Sequence, residues 1–368
     1  MLRIGVLFGG ISVEHDISII SAIQVLNAID KSKYEVIPLY LTKTGNLLYG
    51  DRYSNIDTFK KEIKPKKREY VNLIHFNNKG YLSFVFQKFK KRLKMDLILP
   101  IMHGKGVEDG NISGFLEILK IPYFSCKVLP ASICQDKEFT KVILENLNIK
   151  TVPYEVIYSE DEKLKNNIYP QIIKPARLGS SIGIKKVNSE EERLLAVKDA
   201  LHYDNKVIVE KALTHFKEYS VALYMKKEEL IISDIEEINT KDDIYKFTDK
   251  YESGQKDLSV NKLPAKISKK QTEKIYEIVR KIYTRLELSG IVRIDFLYDS
   301  DLKELYVNEI NTIPGSLAFY LFKDKGITFT NLIDDLIKQT LIEEEKKKEY
   351  IASFESNILN KNTLKMKK

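Results

Sequence analysis

The sequence predicts an α/β protein, and three observations support this fold class. The N-terminus opens on an apolar run followed by two glycines and an apolar-periodic segment, which indicates strand, turn and helix. A further apolar run ends in a polar, glycine-rich loop, and the second half contains alternating segments typical of antiparallel strands. With 368 residues, 43% of them hydrophobic, the chain is long enough for two or three subdomains.

In the first third, residues 3–8 read as a buried strand, Gly9 and Gly10 as a tight turn, and residues 18–29 as a helix. This is the opening of a βαβ unit. Strands are also predicted over 35–41 and 96–101, and the latter leads into a polar loop at 103–111. Open α/β sheets place their ligands at the carboxyl ends of such strands.

The remaining elements follow from the same two periodicities. The predicted helices cover 136–147, 269–286 and about 330–350, and the predicted strands cover 171–175, 206–210, 218–224, 229–234, 292–296 and 304–310. Residues 236–264 are polar without a sustained period, which predicts a long loop of the kind that acts as a lid. The end of the chain, rich in Glu and Lys, is predicted to be solvated.

Composition and charge exclude several functional classes. The formal charge of +8 comes from lysines scattered along the chain, with no Trp and no interleaved aromatic and basic motif, so we expect no nucleic-acid partner. No run approaches the ~20 apolar residues of a membrane span, and the N-terminus lacks signal-peptide features. Cys126 and Cys134 are too far apart for a CxxC motif, which predicts buried, reduced thiols. These features favour a cytoplasmic protein.

Acidic residues mark the last predicted strand pair. Residues two apart in a strand share a face, so Arg293 lies beside Asp295, and Glu309 beside Asn311 on the neighbouring strand. Two carboxylates and an amide oxygen suit magnesium. A solvent-facing ladder of salt bridges is the alternative, but the apolar residues that flank both segments argue against it.

Two glycine-rich loops complement this cluster. Lys174 ends a strand and leads into Gly179-Ser-Ser-Ile-Gly183, whose backbone amides and serines could grip phosphate oxygens, although it is no Walker loop. His103 opens a second loop, which holds two carboxylates and three glycines. Glu14, after the first strand, belongs at the same sheet edge, where it could pair with a substrate ammonium. The simpler alternative there is a helix cap by Ser12.

Taken together, these segments resemble the D-alanine–D-alanine ligase family of ATP-grasp enzymes. The resemblance runs in the family's order to about residue 340, through residues 9–18, 103–110, 121–123, 136–137, 174–183, 209–210, 293–296 and 308–315. It implies an ATP-grasp fold with an N-terminal Rossmann-like pre-ATP-grasp domain at 1–125. The small ATP-grasp subdomain would then cover 126–213, and the catalytic subdomain 214–345, with an omega-loop at about 236–264 and a charged tail at 346–368.

The resemblance also implies the cofactors and the residues that bind them. ATP would be held with two magnesium ions, for which manganese could substitute. Asp295, Glu309 and Asn311 would hold the metal. The nucleotide would contact Lys137 and Lys174 at its phosphates, Glu218 at the ribose, and the segment that frames the adenine; the full set is Lys137, Lys174, Ser181, Glu210, Lys211, Leu213 and Glu218.

Further residues would bind or activate the amino acids. Glu14 would anchor the ammonium of the first D-alanine in a hydrogen-bonded trio with Ser180 and Tyr251. His103, Lys250 and Ser316 would bind substrate, and Arg293 with the amide of Gly315 would stabilise developing negative charge on oxygen. Tyrosine at position 251 accompanies dipeptide synthesis in the family, whereas the D-lactate-using ligases carry histidine there.

The implied activity is ATP-dependent joining of two D-alanines through a D-alanyl phosphate, for peptidoglycan synthesis, by an enzyme of a family that is often homodimeric. After Gly315 the chain departs from the family, because Ser316 and the residues that follow lack the usual Thr and Pro. Two alternatives therefore stay open. One is a ligase that joins D-alanine, or another small amino acid, to a different acceptor, and the other is a non-catalytic nucleotide-binding protein.

Overall fold

The first sheet is built around β1 (Leu2–Gly9), the apolar N-terminal run. The computed structural model describes residues 1–86, 91–165, 168–238 and 261–351. Helix α1 (His15–Ala28) packs on β1, which pairs in parallel with β2 (Tyr34–Leu41); β3 (Leu47–Tyr49) then pairs antiparallel with β2. The predicted βαβ opening is confirmed, although the helix begins three residues earlier than predicted, directly after Glu14.

A small antiparallel sheet interrupts this unit. It consists of β4 (Val71–Phe76), β5 (Lys79–Phe84) and β6 (Arg92–Lys94), and it lies outside the predicted elements. The chain then returns to β1 through β7 (Leu97–Pro100), which pairs in parallel with it and completes the order β3-β2-β1-β7. Helix α2 (Asn111–Ile118) follows the polar loop that leaves β7. The loop therefore stands where the sequence predicts a ligand site.

The second sheet is antiparallel and follows a pair of helices, α3 (Val128–Gln135) and α4 (Lys137–Asn146). Asp136 caps α4 by accepting hydrogen bonds from the backbone amides of Glu138 and Phe139, which fixes the start of the helix. The strands run in the order β10-β9-β11-β8 and comprise β8 (Tyr154–Ile157), β9 (Gln171–Pro175), β10 (Lys185–Val187) and β11 (Val207–Lys211). Helix α5 (Glu190–Leu201) packs on β9.

The third sheet carries the acidic strand pair. Its order is β13-β12-β15-β16, with a further short strand beside β12, and the strands are β12 (Phe216–Lys226), β13 (Glu229–Ile232), β14 (Glu236–Ile238), β15 (Ile291–Asp299) and β16 (Glu304–Asn311). Helix α6 (Lys269–Arg285) begins at a capping box of Ser268 and Gln271. A 3₁₀ segment, Gly315–Lys325, and helix α7 (Phe329–Lys347) complete the described chain.

The prediction of a loop at 236–264 is wrong for its first three residues. Residues 236–238 form β14, which pairs antiparallel with β12 and buries Glu236 and Glu237. The sequence pattern does not predict this strand because two of its three residues are acidic. The strand is stabilised by pairing with β12 rather than by apolar residues of its own. Residues 239–260, with Lys250 and Tyr251, lie outside the described residues.

The C-terminal elements return to the N-terminal sheet. One apolar core joins residues of β1, α1 and β7 to Leu317 and Ala318 of the 3₁₀ segment and to the buried face of α7. Tyr34 Oη donates to Asp334 Oδ1 across 2.5 Å, linking β2 to α7. Cys126 and Cys134 are free and buried, as predicted. Among the residues described, no helix has both the length and the apolarity needed to cross a bilayer.

Candidate active site

The acidic strand pair brings the predicted metal ligands together. In the β15–β16 register Asp295 lies opposite Glu309 and Arg293 lies opposite Asn311. The Arg293 guanidinium grips Asp295 through two hydrogen bonds of 2.8 and 2.6 Å. Ser220 on β12 donates to Asp295 Oδ1 across 2.7 Å, a contact that sequence patterning does not predict. The side chain of Asp295 is therefore held in position by both Arg293 and Ser220.

The donor chemistry of this cluster fits a hard divalent cation. Asn311 Nδ2 lies 2.9 Å from Asp295 Oδ2 and 3.5 Å from Glu309 Oε1, so all three side chains meet at one point. Two carboxylates with an amide oxygen resemble the shell that magnesium takes, provided the Asn311 amide turns its oxygen inward. Within the described ranges no group of three or more His, Cys, Asp and Glu side chains could hold a metal, because the third donor here is an amide.

Glu14 forms the second part of the site, at the N-cap of α1. It is 5% exposed, and Ser180 Oγ donates to its Oε1. Its other oxygen, Oε2, is buried and has no hydrogen-bond partner among the described residues. Burial raises the pKa of Glu14, and the nearby carboxylate of Glu108 raises it further. An unpaired buried oxygen of this kind is the place where a substrate cation would fit.

Glycines make room for this carboxylate. A Cβ on Gly104 would lie 2.6 Å from Glu14 Oε2 and 2.2 Å from Ser12 Oγ, and its φ of +78° is also unfavourable for other residues. A Cβ on Gly179 would lie 3.2 Å from the same Glu14 oxygen. The two glycine-rich loops therefore approach Glu14 from different parts of the chain, and Gly104 is favoured both by close contact and by its backbone conformation, whereas Gly179 is favoured by contact.

His103 lies at the end of a polar chain that reaches the segment after Gly315. Its Nε2 is 3.0 Å from Ser21 Oγ, and that same oxygen accepts a 3.4 Å hydrogen bond from the backbone amide of Ser316. Burial would lower the pKa of His103, but Glu108, with an oxygen 3.9 Å from Nδ1, outweighs it and raises the pKa. Ser21 and Glu108 were not singled out from the sequence, although Ser21 shares a helix face with Glu14.

The departure after Gly315 takes an uncommon backbone form. Ser316, Leu317 and Ala318 all have left-handed φ values, of 52°, 51° and 46°. The turn buries Leu317 and Ala318 in the core beside α1 and leaves Ser316 half-buried at the site. Gly315 has open space around its Cα. Strained backbone of this kind persists only where surrounding packing holds it.

The glycine-rich loop at residues 178–183, which the sequence predicts to bind phosphate and which we call the phosphate loop, is hydrogen-bonded to helix α4. Lys137 Nζ donates to the carbonyl of Leu178 across 2.6 Å, and the Lys137 amide donates to Ala176 across 3.0 Å. Ser180 and Ser181 adopt left-handed φ values of 54° and 59° within the loop. A cavity of about 30 Å³ is lined by Lys137, Gly179, Glu309 and Asn311 among others, so the predicted phosphate and metal residues share one space.

Lys174 belongs to a buried charge cluster that was only partly predicted. Glu210 Oε2 lies 2.7 Å from Lys174 Nζ, and its Oε1 lies 2.8 Å from Nζ of Lys141 on α4. Burial alone would raise the pKa of Glu210, but the two lysines outweigh it and lower the pKa to about 2. Both carboxylate oxygens of Glu210 are therefore paired with lysines rather than directed at an adenine base. Lys141 could have been found as a lysine on the apolar face of α4, one turn beyond Lys137.

Two further predicted nucleotide residues, Glu210 and Lys211, line a separate cavity, whereas Leu213 and Glu218 lie outside its lining. This cavity, of about 280 Å³, is lined by Tyr154, Gln171, Val209, Glu210 and Lys211 among others. Leu213 is buried against Val152 and Tyr306, and Glu218 is half-buried on β12. A slot formed by residues of β8, β9 and β11, with apolar and polar side chains in its lining, is suited to a planar ring.

Comparison with known proteins identifies relatives over nearly the whole chain. The family model described as D-ala D-ala ligase N-terminus matches residues 3–126, and the model described as D-ala D-ala ligase C-terminus matches residues 143–338. The D-alanine--D-alanine ligase of Thermosipho melanesiensis is 40% identical over 366 residues, covering 98% of each chain.

Two solved structures share the fold. The D-alanine-D-alanine ligase of Helicobacter pylori is 28% identical with a TM-score of 0.74, covering 92% of this chain and 98% of its own. The VanG D-Ala:D-Ser ligase of Enterococcus faecalis is 28% identical with a TM-score of 0.76, covering 92% of this chain and 99% of its own. The chain is therefore similar to ligases whose names differ in the second amino acid.

Proposed function

The chain belongs to the D-alanine–D-alanine ligase family, and from that premise we propose that it uses ATP to join two D-alanines through a D-alanyl phosphate. The product, D-alanyl-D-alanine, is a precursor of peptidoglycan. ATP and free D-alanine are supplied in the cytoplasm, and this is where we place the reaction.

The unpaired oxygen of Glu14 is the observation that supports this proposal best. A carboxylate that is 5% exposed is costly to keep ionised unless a cation meets it. The ammonium of the first D-alanine would supply that cation at Oε2, while Ser180 holds Oε1 in place. His103 and Ser21 would line the same space.

In the first step the substrate carboxylate attacks the γ-phosphorus of ATP. A carboxylate O–P bond forms, the bond from γ-phosphorus to the bridging oxygen breaks, and ADP leaves with the electron pair. Lys137 and Lys174, on either side of the loop at 178–183, would neutralise the charge on the phosphates.

We assign the metal to Asp295, Glu309 and Asn311, whose oxygen donors fit magnesium. When bound, magnesium would neutralise negative charge on the phosphate oxygens. Arg293 would orient Asp295, because its guanidinium donates to both carboxylate oxygens. Manganese has the same preference for oxygen ligands and could substitute.

In the second step the free amine of the acceptor attacks the acyl phosphate. A C–N bond forms, the C–O bond to phosphate breaks, and the nitrogen gives its extra proton to the departing inorganic phosphate. We assign Arg293 and the amide of Gly315 to the negative charge that develops on the carbonyl oxygen. Water would hydrolyse the acyl phosphate, so the site must be closed during this step.

The proposal is tested by measuring phosphate release with the full chain, ATP, magnesium and D-alanine. We expect phosphate and D-alanyl-D-alanine in equal amounts, and a strong loss of both in Glu14→Gln. Asp16→Asn is a matched control, because Asp16 lies on the same helix with its side chain 83% exposed. Phosphate release that does not depend on D-alanine would contradict the proposal.

A different acceptor is the second candidate, and the segment after Gly315 favours it. The left-handed turn at residues 316–318 holds the Ser316 amide against Ser21, in a chain that lacks the family's usual Thr and Pro. Single-acceptor assays with D-alanine, D-serine and D-lactate, analysed by mass spectrometry, would separate the two. A product with D-serine or D-lactate that forms faster than D-alanyl-D-alanine would favour the second candidate.

A further inference from the structure

Two lysines and one glutamate form a buried cluster beneath the phosphate loop. Glu210 on β11 lies between Lys141 on α4 and Lys174 on β9, at 2.8 and 2.7 Å. Lys141 is 2% exposed, and Lys174 and Glu210 are each 4% exposed. The cluster carries one more positive charge than a simple ion pair needs, so one of its lysines is in excess.

The two lysines are held differently. Lys141 Nζ also donates to the carbonyl of Val152 across 3.1 Å and lies 5.1 Å from the centre of the Tyr154 ring. Lys174 Nζ has Glu210 as its acceptor within the described part of the chain, and its strand leads directly into the phosphate loop. Lys141 is therefore fixed by three partners, whereas Lys174 would need to release only one.

We propose that Lys141 is a positioning residue that serves as the permanent counter-ion of Glu210, so that Lys174 can move its charge from Glu210 to the phosphates of the nucleotide. Without Lys141, a nucleotide that drew Lys174 away would leave Glu210 buried and unpaired, which is strongly unfavourable. The inference rests on the proposed function only in assuming that the loop binds a nucleotide phosphate.

The role predicts a specific pattern of nucleotide affinity. Lys141→Met removes the charge but keeps the length of the side chain, so ADP affinity should fall by about tenfold or more. Adenosine has no phosphate to draw Lys174 from Glu210, so its affinity should stay within about twofold. In steady state, KM for ATP should rise while KM for D-alanine stays the same.

A double variant separates this role from simple packing. Glu210→Gln removes the charge that Lys141 is proposed to balance. In that background, adding Lys141→Met should change ADP affinity by no more than about twofold. This comparison holds even if Lys141→Met alone fails to fold. Lys150→Met is a matched control, because the ion pair of Lys150 with Glu304 is at the surface, where its loss should leave nucleotide affinity unchanged.

The experiment is isothermal titration of the full chain and its variants with ADP and with adenosine, alongside thermal melts. Equal losses of ADP affinity with and without Glu210→Gln would overturn the proposal, as would an equal loss for adenosine. If the wild type binds ADP but releases no phosphate from ATP when D-alanine is added, the proposed ligase reaction is contradicted. The role of Lys141 in nucleotide binding is then unaffected.

Discussion

At Glu14 the proposed role in substrate binding conflicts with the stability of the free protein. Its carboxylate is buried, one oxygen lacks a partner among the described residues, and both burial and Glu108 raise its pKa. The charge is thus unfavourable in the free protein and becomes favourable only when a cation arrives. Residues that bind a charged substrate in a dry site commonly have this property.

Glu14→Gln should weaken binding of the first D-alanine without affecting ATP. The amide keeps the shape and can still accept a hydrogen bond from Ser180, but it loses the charge-assisted contact with the ammonium. We expect KM for D-alanine to rise about 10- to 100-fold. Steady-state kinetics at saturating ATP would measure this, and an equal rise in KM for ATP would contradict it.

The same substitution should change how stability depends on pH. Because the folded-state pKa of Glu14 is raised above 4.5, the protonated form is favoured by folding. The stability that protonation contributes is present at and below pH 4.5 and is lost as pH rises through the raised pKa. Melts of the free protein from pH 4.5 upward should therefore show a smaller decline in Glu14→Gln than in the wild type. Identical pH dependence would refute the assignment.

Two glycines of one loop provide a matched test of close contact. Gly104 and Gly106 both have positive φ, but a Cβ on Gly106 would meet nothing within 4 Å, whereas one on Gly104 would strike Glu14 and Ser12. Gly106→Ala should cost about 1 kcal/mol from the backbone alone. Gly104→Ala should cost about 2–4 kcal/mol and also impair D-alanine binding. Denaturant unfolding of both variants would measure the difference, and equal costs would contradict the contact.

At the level of elements, the β15–β16 pair sets the geometry of the proposed metal site. Strand register alone sets Asp295 opposite Glu309 and Arg293 opposite Asn311. Asp295 also supports the sheet, because it pairs with Arg293 and accepts from Ser220. Among the described residues, the side chain of Glu309 has its one side-chain hydrogen bond with Asn311, at 3.5 Å. The two carboxylates should therefore differ in what their loss does.

Glu309→Ala should abolish turnover and leave the fold intact, whereas Asp295→Asn should also destabilise the protein. The second change leaves Arg293 without its buried partner, at a cost of about 3 kcal/mol. Phosphate-release assays over a magnesium titration, together with denaturant melts, would measure both effects. Near-normal activity in Glu309→Ala would refute the metal assignment.

Elements with a clear period could be predicted from sequence, and those held by tertiary pairing could not. β9 was predicted at its observed bounds, and β15 and β16 within three residues, because apolar residues bury their flanks. β14 was missed, since its Glu-Glu-Ile sequence is stabilised by β12 rather than by its own pattern. The domain boundaries at 125, 213 and 345 stay predictions.

The same distinction applies to the site. Glu14, Lys174 and Asp295 could be predicted because the signals that mark them, glycine-rich loops and acidic residues on strands, lie next to them in the sequence. The position of Lys141 on the buried face of its helix is a local signal, but its partner lies 69 residues away, at position 210, and the local pattern does not reveal that pairing. Ser21 is similar, because its partners at 103 and 316 come from different elements.

At the level of the whole molecule, the C-terminal helix closes the N-terminal sheet. Leu332, Leu336 and Ile337 of α7 are at most 2% exposed and belong to the same core as β1. Thr330 Oγ1 donates to the carbonyl of Ala28 across 2.8 Å. The two ends of the described chain are therefore one packing unit, although about 300 residues separate Tyr34 from Asp334. The homodimer that the family resemblance implies stays a prediction.

Leu336→Ala should destabilise the N-terminal sheet as well as the helix that carries it. The cavity should cost about 2–5 kcal/mol, and the loss should appear in the cooperative unfolding of both ends. Denaturant melts followed by circular dichroism and by hydrogen exchange in β1 would test this. Lys346→Ala, on the exposed side of α7, should stay within about 0.5 kcal/mol. Unchanged exchange in β1 of Leu336→Ala would contradict the coupling.

The hydrogen bond from Ser180 to Glu14 joins the loop that we propose binds phosphate to the residue that we propose binds the amino acid. Each ligand would therefore bias the same loop, and thermodynamic linkage requires the bias to be mutual. Whatever factor ATP adds to the affinity for D-alanine, D-alanine must add to the affinity for ATP. Neither substrate alone would gain the full stabilisation of the loop. The loop would therefore favour binding of both substrates together and reduce hydrolysis of ATP in the absence of D-alanine.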